Sequence, residues 1–305
     1  MRKSKWGALV AIALISIVAL LGVVACGGGK DEGASGGVSP TATAEMTATE
    51  LWTNILGHEP TGLAAKVLDR GKMTVANDSN YAPFSSLNDA GELVGFDVDV
   101  GLRVGELLKV DVKFVNPAWD TIPTGLGAGR FDVSIGTMTP TTERRQSIDF
   151  TQPYFWGTQQ LIILKGAPKI ETPGGLKGKK IACSAASTPF YFLQKLGGVN
   201  IKTYDTDLNA LPDLKNGRVD GLVTSGAAAM GVVASGEPFE FSGDPLFYEK
   251  SCFAVAKGES DWLALMDWAV ATMHKDGSLS EMSKTDISGI DLTQTPPAGV
   301  EIVGD

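Results

Sequence analysis

The side chains that most often make and break bonds are sparse in this sequence. Its two histidines, His58 and His274, and three cysteines, Cys26, Cys183 and Cys252, fall into no CxxC, HExxH or similar ligand spacing, so no metal site is expected. No paired carboxylates, Ser/His/Asp series or Cys–His pair stands out for proton transfer or nucleophilic attack, and no cofactor is expected. What remains is suited to holding a molecule. Arg144 carries a planar fork that can grip two carboxylate oxygens in parallel. The runs Asn77-Asp78-Ser79-Asn80, Gly136-Thr137-Met138-Thr139 and Ser184-Ala185-Ala186-Ser187-Thr188 offer small polar groups. Each has a plainer reading: Arg144 beside Arg145 as surface charge, small hydroxyl residues as turn formers, aromatic residues as core. Tyr81 and Trp119, however, stand in loops beside Asn80 and Asp120, which favours a pocket wall.

These residues need elements to position them. Apolar spacing over Thr61–Arg70, closed by Gly71, predicts a helix, and Met73–Ala76 predicts a strand that runs into the polar loop at 77–81. Asp89-Ala90-Gly91 marks a turn before a short strand over Leu93–Phe96, and Asp97 is expected to cap a helix running to Leu108. Strand Val112–Val115, helix Thr121–Gly129, strand Phe131–Ile135 and strand Leu161–Leu164 continue the pattern. A second unit alternates in the same way: strands at Lys180–Cys183, Val199–Thr203 and Val219–Thr224, with helices through Phe192 to Leu196 and over Leu208–Asn216. A strand over Cys252–Ala256 and a helix over Trp262–His274 follow, and the tail from Asp291 has too little periodicity to assign. Alternation of this kind means an α/β fold with a mainly parallel sheet, here in two lobes. Ligands bind such sheets at the carboxyl ends of the strands, where the 77–81 and 136–139 loops fall.

The chain has 305 residues, 43% hydrophobic and 20% charged, enough to bury a sizeable core. A net charge of −9 gives no basic field for phosphate backbones, so nucleic acid is not an expected partner. Arg2, Lys3 and Lys5 precede an apolar run from Trp6 to Ala25, the order of a secretory signal, although the run is also long enough to span a bilayer. Val23-Val24-Ala25-Cys26 decides for the signal, because it resembles the lipobox of bacterial lipoproteins, in which the Cys is lipidated and becomes the new N-terminus. Cleavage of residues 1–25 removes three cations and no acid, so the charge falls from −9 to −12. The stretch after Cys26 is rich in Gly, Ser, Thr, Ala and Pro, and a flexible tether is expected over residues 26–60.

Asn77 to Ser86, Gly95-Phe96-Asp97-Val98-Asp99, Phe131 to Thr139 and Thr142-Glu143-Arg144 together resemble the family-3 extracellular solute-binding proteins, the receptors of polar amino-acid ABC importers. The likeness continues through Ile148 to Tyr154, Leu176 to Lys180, Asn216 to Asp220 and Lys275 to Leu279, spanning about residues 72–285 in order. It implies the type 2 periplasmic binding protein fold: lobe 1 over residues 72–157 plus 252–290, lobe 2 over 158–251, and a tail over 291–305. Two hinge crossings, near 156–160 and 248–251, would join lobes that close on ligand. By position, Arg144 would hold the ligand carboxylate, with Thr139 and the Thr137 backbone at its amino and carboxylate groups. Thr188 would donate to the carboxylate from the second lobe, and Tyr81 and Trp119 would flank the side chain. The implied protein is a monomeric, lipid-anchored, extracytoplasmic binding protein that delivers a small molecule to an ABC permease and performs no catalysis.

One position departs from the family pattern. Ser225 stands where members that bind α-amino acids place an Asp against the ligand ammonium. An unpaired buried ammonium is costly, so either another acid replaces it, with Asp78 the best placed, or the ligand differs. A polar amino acid or derivative leads; a betaine or ectoine-like cation held by Tyr81, Trp119 and Trp156, or a simple carboxylate, are the alternatives. A dehydratase-type enzyme and a sensory binding protein are the readings from other classes. Cys183 and Cys252 are either a disulfide or two buried small hydrophobes.

Overall fold

A computed structural model describes residues 46–300 and 302–304; the expected signal peptide, Cys26 and the first part of the tether lie outside the described residues. Strands form where the apolar runs were bounded by glycine and polar turns: β1 (Lys72–Ala76), β2 (Asn80–Tyr81), β3 (Ser85–Leu87), β4 (Leu93–Val94), β5 (Asp111–Val115), β6 (Val133–Met138), β7 (Ile148–Leu164), β8 (Lys180–Ser184), β9 (Asn200–Tyr204), β10 (Gly221–Ser225), β11 (Phe239–Phe241), β12 (Phe247–Ala256) and β13 (Ile302–Val303). The helices are α1 (Ala48–Leu56), α2 (Gly62–Arg70), α3 (Phe96–Leu108), α4 (Ile122–Gly127), α5 (Thr188–Leu196), α6 (Leu211–Lys215), α7 (Gly226–Ala234), α8 (Ser260–Asp276) and α9 (Ser278–Asp286).

The main sheet runs β5-β1-β6-β12-β7-β10-β8-β9. β1 is parallel to β5 and β6, and β8 is parallel to β9 and β10, so each end of the sheet is a parallel α/β layer. Between them β12 and β7 pair antiparallel with each other and with the flanking strands. Apolar clusters bury both faces of each end. Met73, Val75, Val104, Phe253 and Trp262 lie in one cluster of the first lobe and Ile122, Leu126 and Phe150 in another; Leu161, Ile181 and Val223 face Ile162, Leu214 and Leu222 across the second. The expected two-lobed α/β fold is therefore the observed one.

The crossings are paired strands. Residues 156–160 and 248–251 lie inside β7 and β12, because the two strands find partners in each other from Ile148↔Ala256 to Gln159↔Phe247. Register shifts between Ser251, Cys252 and Ala254 mark bulges, which bend and twist a paired ribbon between the lobes.

Two expectations change, and the unassigned tail gains a place. The tether does not extend to residue 60, since α1 is a helix with a capping box: Thr47 Oγ1 accepts from the Glu50 amide at 3.2 Å, and Glu50 Oε2 accepts from the Thr47 amide at 2.8 Å. Its Trp52 is fully buried against Trp262, and Nε1 donates to the Leu108 carbonyl at 2.9 Å. Asp97 is not a helix cap. Gly95 caps α3 at φ 124°, where a Cβ would stand 2.6 Å from the Phe84 carbonyl oxygen, and Asp97 turns inward one residue into the helix. The tail is not without structure: β13 pairs in parallel with Tyr248-Glu249, and the Trp156 amide donates to the Leu292 carbonyl at 2.9 Å, so both crossings carry a tail contact. Cys183 and Cys252 are both buried and free, and burial pushes each thiol up to about 12.

Candidate functional site

The carboxyl ends of β1, β6 and β8 bring their loops to one cavity between the lobes, of about 50 Å3, room for a few water molecules. Asp78, Tyr81, Trp119, Thr137, Thr139, Arg144 and Thr188 all line it, so seven of the eight residues read from the sequence meet there. Ser225 does not. Its hydroxyl accepts from the Ala228 amide at 3.2 Å as the cap of α7, because the chain turns from β10 directly into that helix. Ser225 instead lines an adjoining cavity of about 530 Å3, with Tyr81, Thr137 and Glu249 forming the wall between the two.

Arg144 opens a short 3-10 turn after β6 and is buried. One terminal nitrogen donates to the Thr139 carbonyl at 2.8 Å in the first lobe and the other to the Ala186 carbonyl at 3.0 Å in the second. Its guanidinium lies over the Trp119 ring, 5.3 Å from the centroid. Burial lowers its pKa, and the carboxylate of Glu249 supports the charge. Two residues of this site have left-handed backbones without being glycine: Thr137 at φ 54° and Ala186 at φ 53°. Each conformation costs about 1–2 kcal/mol, and such strain gathers where geometry is held for function. The Thr137 amide does not face an open site, since it donates to the Tyr154 hydroxyl at 2.9 Å, which donates to Asp97 Oδ1 at 2.6 Å. Burial raises the Asp97 carboxyl to about 7 against the pull of that hydrogen bond.

Tyr81 stacks on Phe84 at 5.4 Å and lines both cavities. Burial, with the carboxylates of Asp207 and Glu249 nearby, holds its phenol far above the usual range. Asp78 accepts from the Asn80 amide at 2.9 Å, and burial raises its pKa.

Apart from Asp78, sequence reasoning missed the acids that surround this site. Glu249, on the crossing strand β12, accepts from Thr139 Oγ1 at 2.9 Å, from Thr188 Oγ1 at 2.6 Å and from Gln159 Nε2 at 2.6 Å, thereby linking both lobes and the hinge. Asp207 is buried with its oxygens engaged by the Ser184 amide and hydroxyl at 2.8 and 2.5 Å and by Thr224 Oγ1 at 2.9 Å; burial raises its pKa. With Asp78, Asp97 and Asp205 they make five carboxyl groups around the cavity, where Arg144 is the one cationic side chain among the described residues that line it. Neither acid carried a local sequence signal, because the contacts that place them are made by strands and turns far apart in the chain. Such an arrangement can bind a molecule bearing both a carboxylate and a cation. Among the described residues no cluster of three or more His, Cys, Asp or Glu could hold a metal ion.

The pattern of the bacterial extracellular solute-binding proteins, family 3, matches residues 73–285, well over half of the chain. The chain belongs to this family. It is 33% identical over 226 residues to the L-cystine-binding protein of Escherichia coli K12, covering 73% of this chain and 85% of that protein. Among solved structures, an ancestral arginine-binding protein bound to arginine superposes with a TM-score of 0.68 at 33% identity, over 71% of this chain and 98% of the other. An ancestral amino acid-binding protein described as a precursor of cyclohexadienyl dehydratase superposes with a TM-score of 0.70 at 28% identity, over 74% and 100%.

Proposed function

We propose that this family-3 protein is the substrate-capturing component of an ABC importer and binds a polar amino acid or close derivative. The observation that carries the reading is the convergence of Arg144, Thr139 and Thr188, from both lobes, on one buried cavity whose lining includes five carboxyl groups. Arg144 would hold the solute carboxylate, while the surrounding acids favour a solute that also carries a positive charge and disfavour a plain carboxylate. A betaine-like ligand has less support, because one face of Trp119 is covered by Arg144 and Tyr81 stacks on Phe84. The small cavity fits entry through an opened hinge, with β7 and β12 bending, closure on the solute, and delivery to a membrane permease. No bond is made or broken.

Lipidation at Cys26 would anchor the protein on the outer side of a bacterial membrane, and the working unit is a monomer. The lipobox-like Val23-Val24-Ala25-Cys26 supports the anchor. Metabolic labelling with a fatty acid, lost in Cys26→Ser, tests that part. The binding reading is tested by a thermal-shift screen of L-amino acids, betaines, ectoine and simple carboxylates. Amino acids should raise the melting temperature of the wild type and leave Arg144→Ala unchanged; a response to plain carboxylates alone would overturn the reading.

A further inference from the structure

A carboxylate can only accept hydrogen bonds, so a buried one fixes the polarity of every group around it. Glu249 is 5% exposed and accepts hydrogen bonds from the Thr139 and Thr188 hydroxyls on Oε2 and from Gln159 Nε2 on Oε1. The Gln159 amide has only one orientation that serves this contact. Its carbonyl oxygen is consequently left buried with no partner, on a side chain 4% exposed that lines the same cavity. Both threonine oxygens retain lone pairs. The result is a group of acceptors around a negative charge, two from opposite lobes and two from the hinge strands.

An unpartnered buried acceptor beside a buried carboxylate is costly until a donor arrives. A primary ammonium brings three N–H donors and the charge that Glu249 calls for. A second carboxylate placed there would meet repulsion from Glu249. Asp207 adds to the same negative field, but its oxygens are already engaged by Ser184 and Thr224. Resting on the amino-acid reading above, we infer that Glu249 is the carboxylate that pairs with the solute's ammonium group, with Gln159 Oε1 and the Thr139 and Thr188 hydroxyl oxygens completing its acceptors. The negative charge for the ammonium comes from the hinge strand β12, so the serine at 225 can serve as a helix cap. In this role Thr188 donates to Glu249 and accepts from the solute's ammonium; it does not donate to the solute's carboxylate. The site selects primary ammonium ligands over deaminated or trimethylated ones.

The test is isothermal titration of the wild type with the twenty common L-amino acids and L-cystine, then of the tightest binder against its deaminated analogue. Glu249→Gln should weaken the amino acid by ~10–100-fold, the size of a lost charge-assisted hydrogen bond, and leave the deaminated analogue unchanged or tighter. Thr188→Val keeps the charge and should show the same loss of selectivity on a smaller scale; a threonine that donated to the solute's carboxylate would weaken both ligands equally. Circular dichroism establishes that each variant is folded, and Thr188→Val decides the matter if Glu249→Gln does not fold. A wild type that prefers the amino acid, with variants that keep the same preference, overturns this inference alone. A wild type that binds no amino acid overturns the reading on which it rests, and the inference with it.

Discussion

Trp52 offers a direct measure of whether the chain before residue 60 is part of the folded body. Its indole is fully buried beside Trp262, and its N–H reaches the carbonyl of Leu108. Leu108 is the last residue of α3, one of the terminal carbonyls that a helix cannot satisfy for itself. Two losses can therefore be separated. Trp52→Phe keeps most of the ring packing but leaves that carbonyl without its donor, a cost of about 1–3 kcal/mol. Trp52→Ala removes the ring as well; truncations of this size in a core cost about 3–5 kcal/mol, and the buried carbonyl adds to it. Guanidinium unfolding followed by far-UV circular dichroism reads both without relying on the tryptophan being replaced. Stability should fall in the order wild type, Trp52→Phe, Trp52→Ala. A loss below about 1 kcal/mol for Trp52→Ala would mean that α1 is dispensable and that the tether reaches further than the structure has it.

Asp97 should make the protein less stable as pH rises. Its carboxyl lies near 7 in the folded state against an ordinary 3.8, so between about pH 4 and 7 the folded chain binds the extra proton. Stability should decline across that window by up to ~4 kcal/mol and level off above it. Asp97→Asn keeps an acceptor for the Tyr154 hydroxyl and should flatten the slope; an unchanged pH profile by urea titration would show that Asp97 is not its source. The two free cysteines should be inert in the native state, since both are buried and their thiols are pushed up to about 12. A thiol reagent applied to Cys26→Ser should label neither until denaturant is added; rapid native labelling would contradict their burial.

Much of the fold was legible because β-branched runs and helical spacing alternate regularly. The strands at 72–76, 111–115, 180–184, 200–204 and 221–225 lie within two residues of where the pattern puts them. Long-range pairing was not legible. The seventeen-residue strand β7 looks like a strand only from its last four residues, and the rest is ordered by β12, about a hundred positions later. The helix over 48–56 did carry a local signal, the Thr47…Glu50 spacing followed by Leu51, Trp52 and Ile55, which the small-residue composition before it obscured. At the site, residues within the ordered motifs were found, whereas Glu249, Asp207 and Gln159 become neighbours only through the crossings and the second lobe. The role of Asp97 is not legible in the sequence, because a carboxylate near a helix start reads as a cap unless a buried tyrosine is known to stand opposite.

On the proposed reading, Arg144 holds the solute's carboxylate in a cleft closed by both lobes. Isothermal titration of the purified protein with the L-amino acid that gives the largest thermal shift, repeated with Arg144→Ala and Arg144→Lys, tests it most directly. Affinity should fall at least ~30-fold in the alanine variant, as when one partner of a buried charge pair is removed, and only partly recover in the lysine variant, whose ammonium lacks the planar fork. Equal affinity in all three proteins would contradict the claim and put the solute elsewhere.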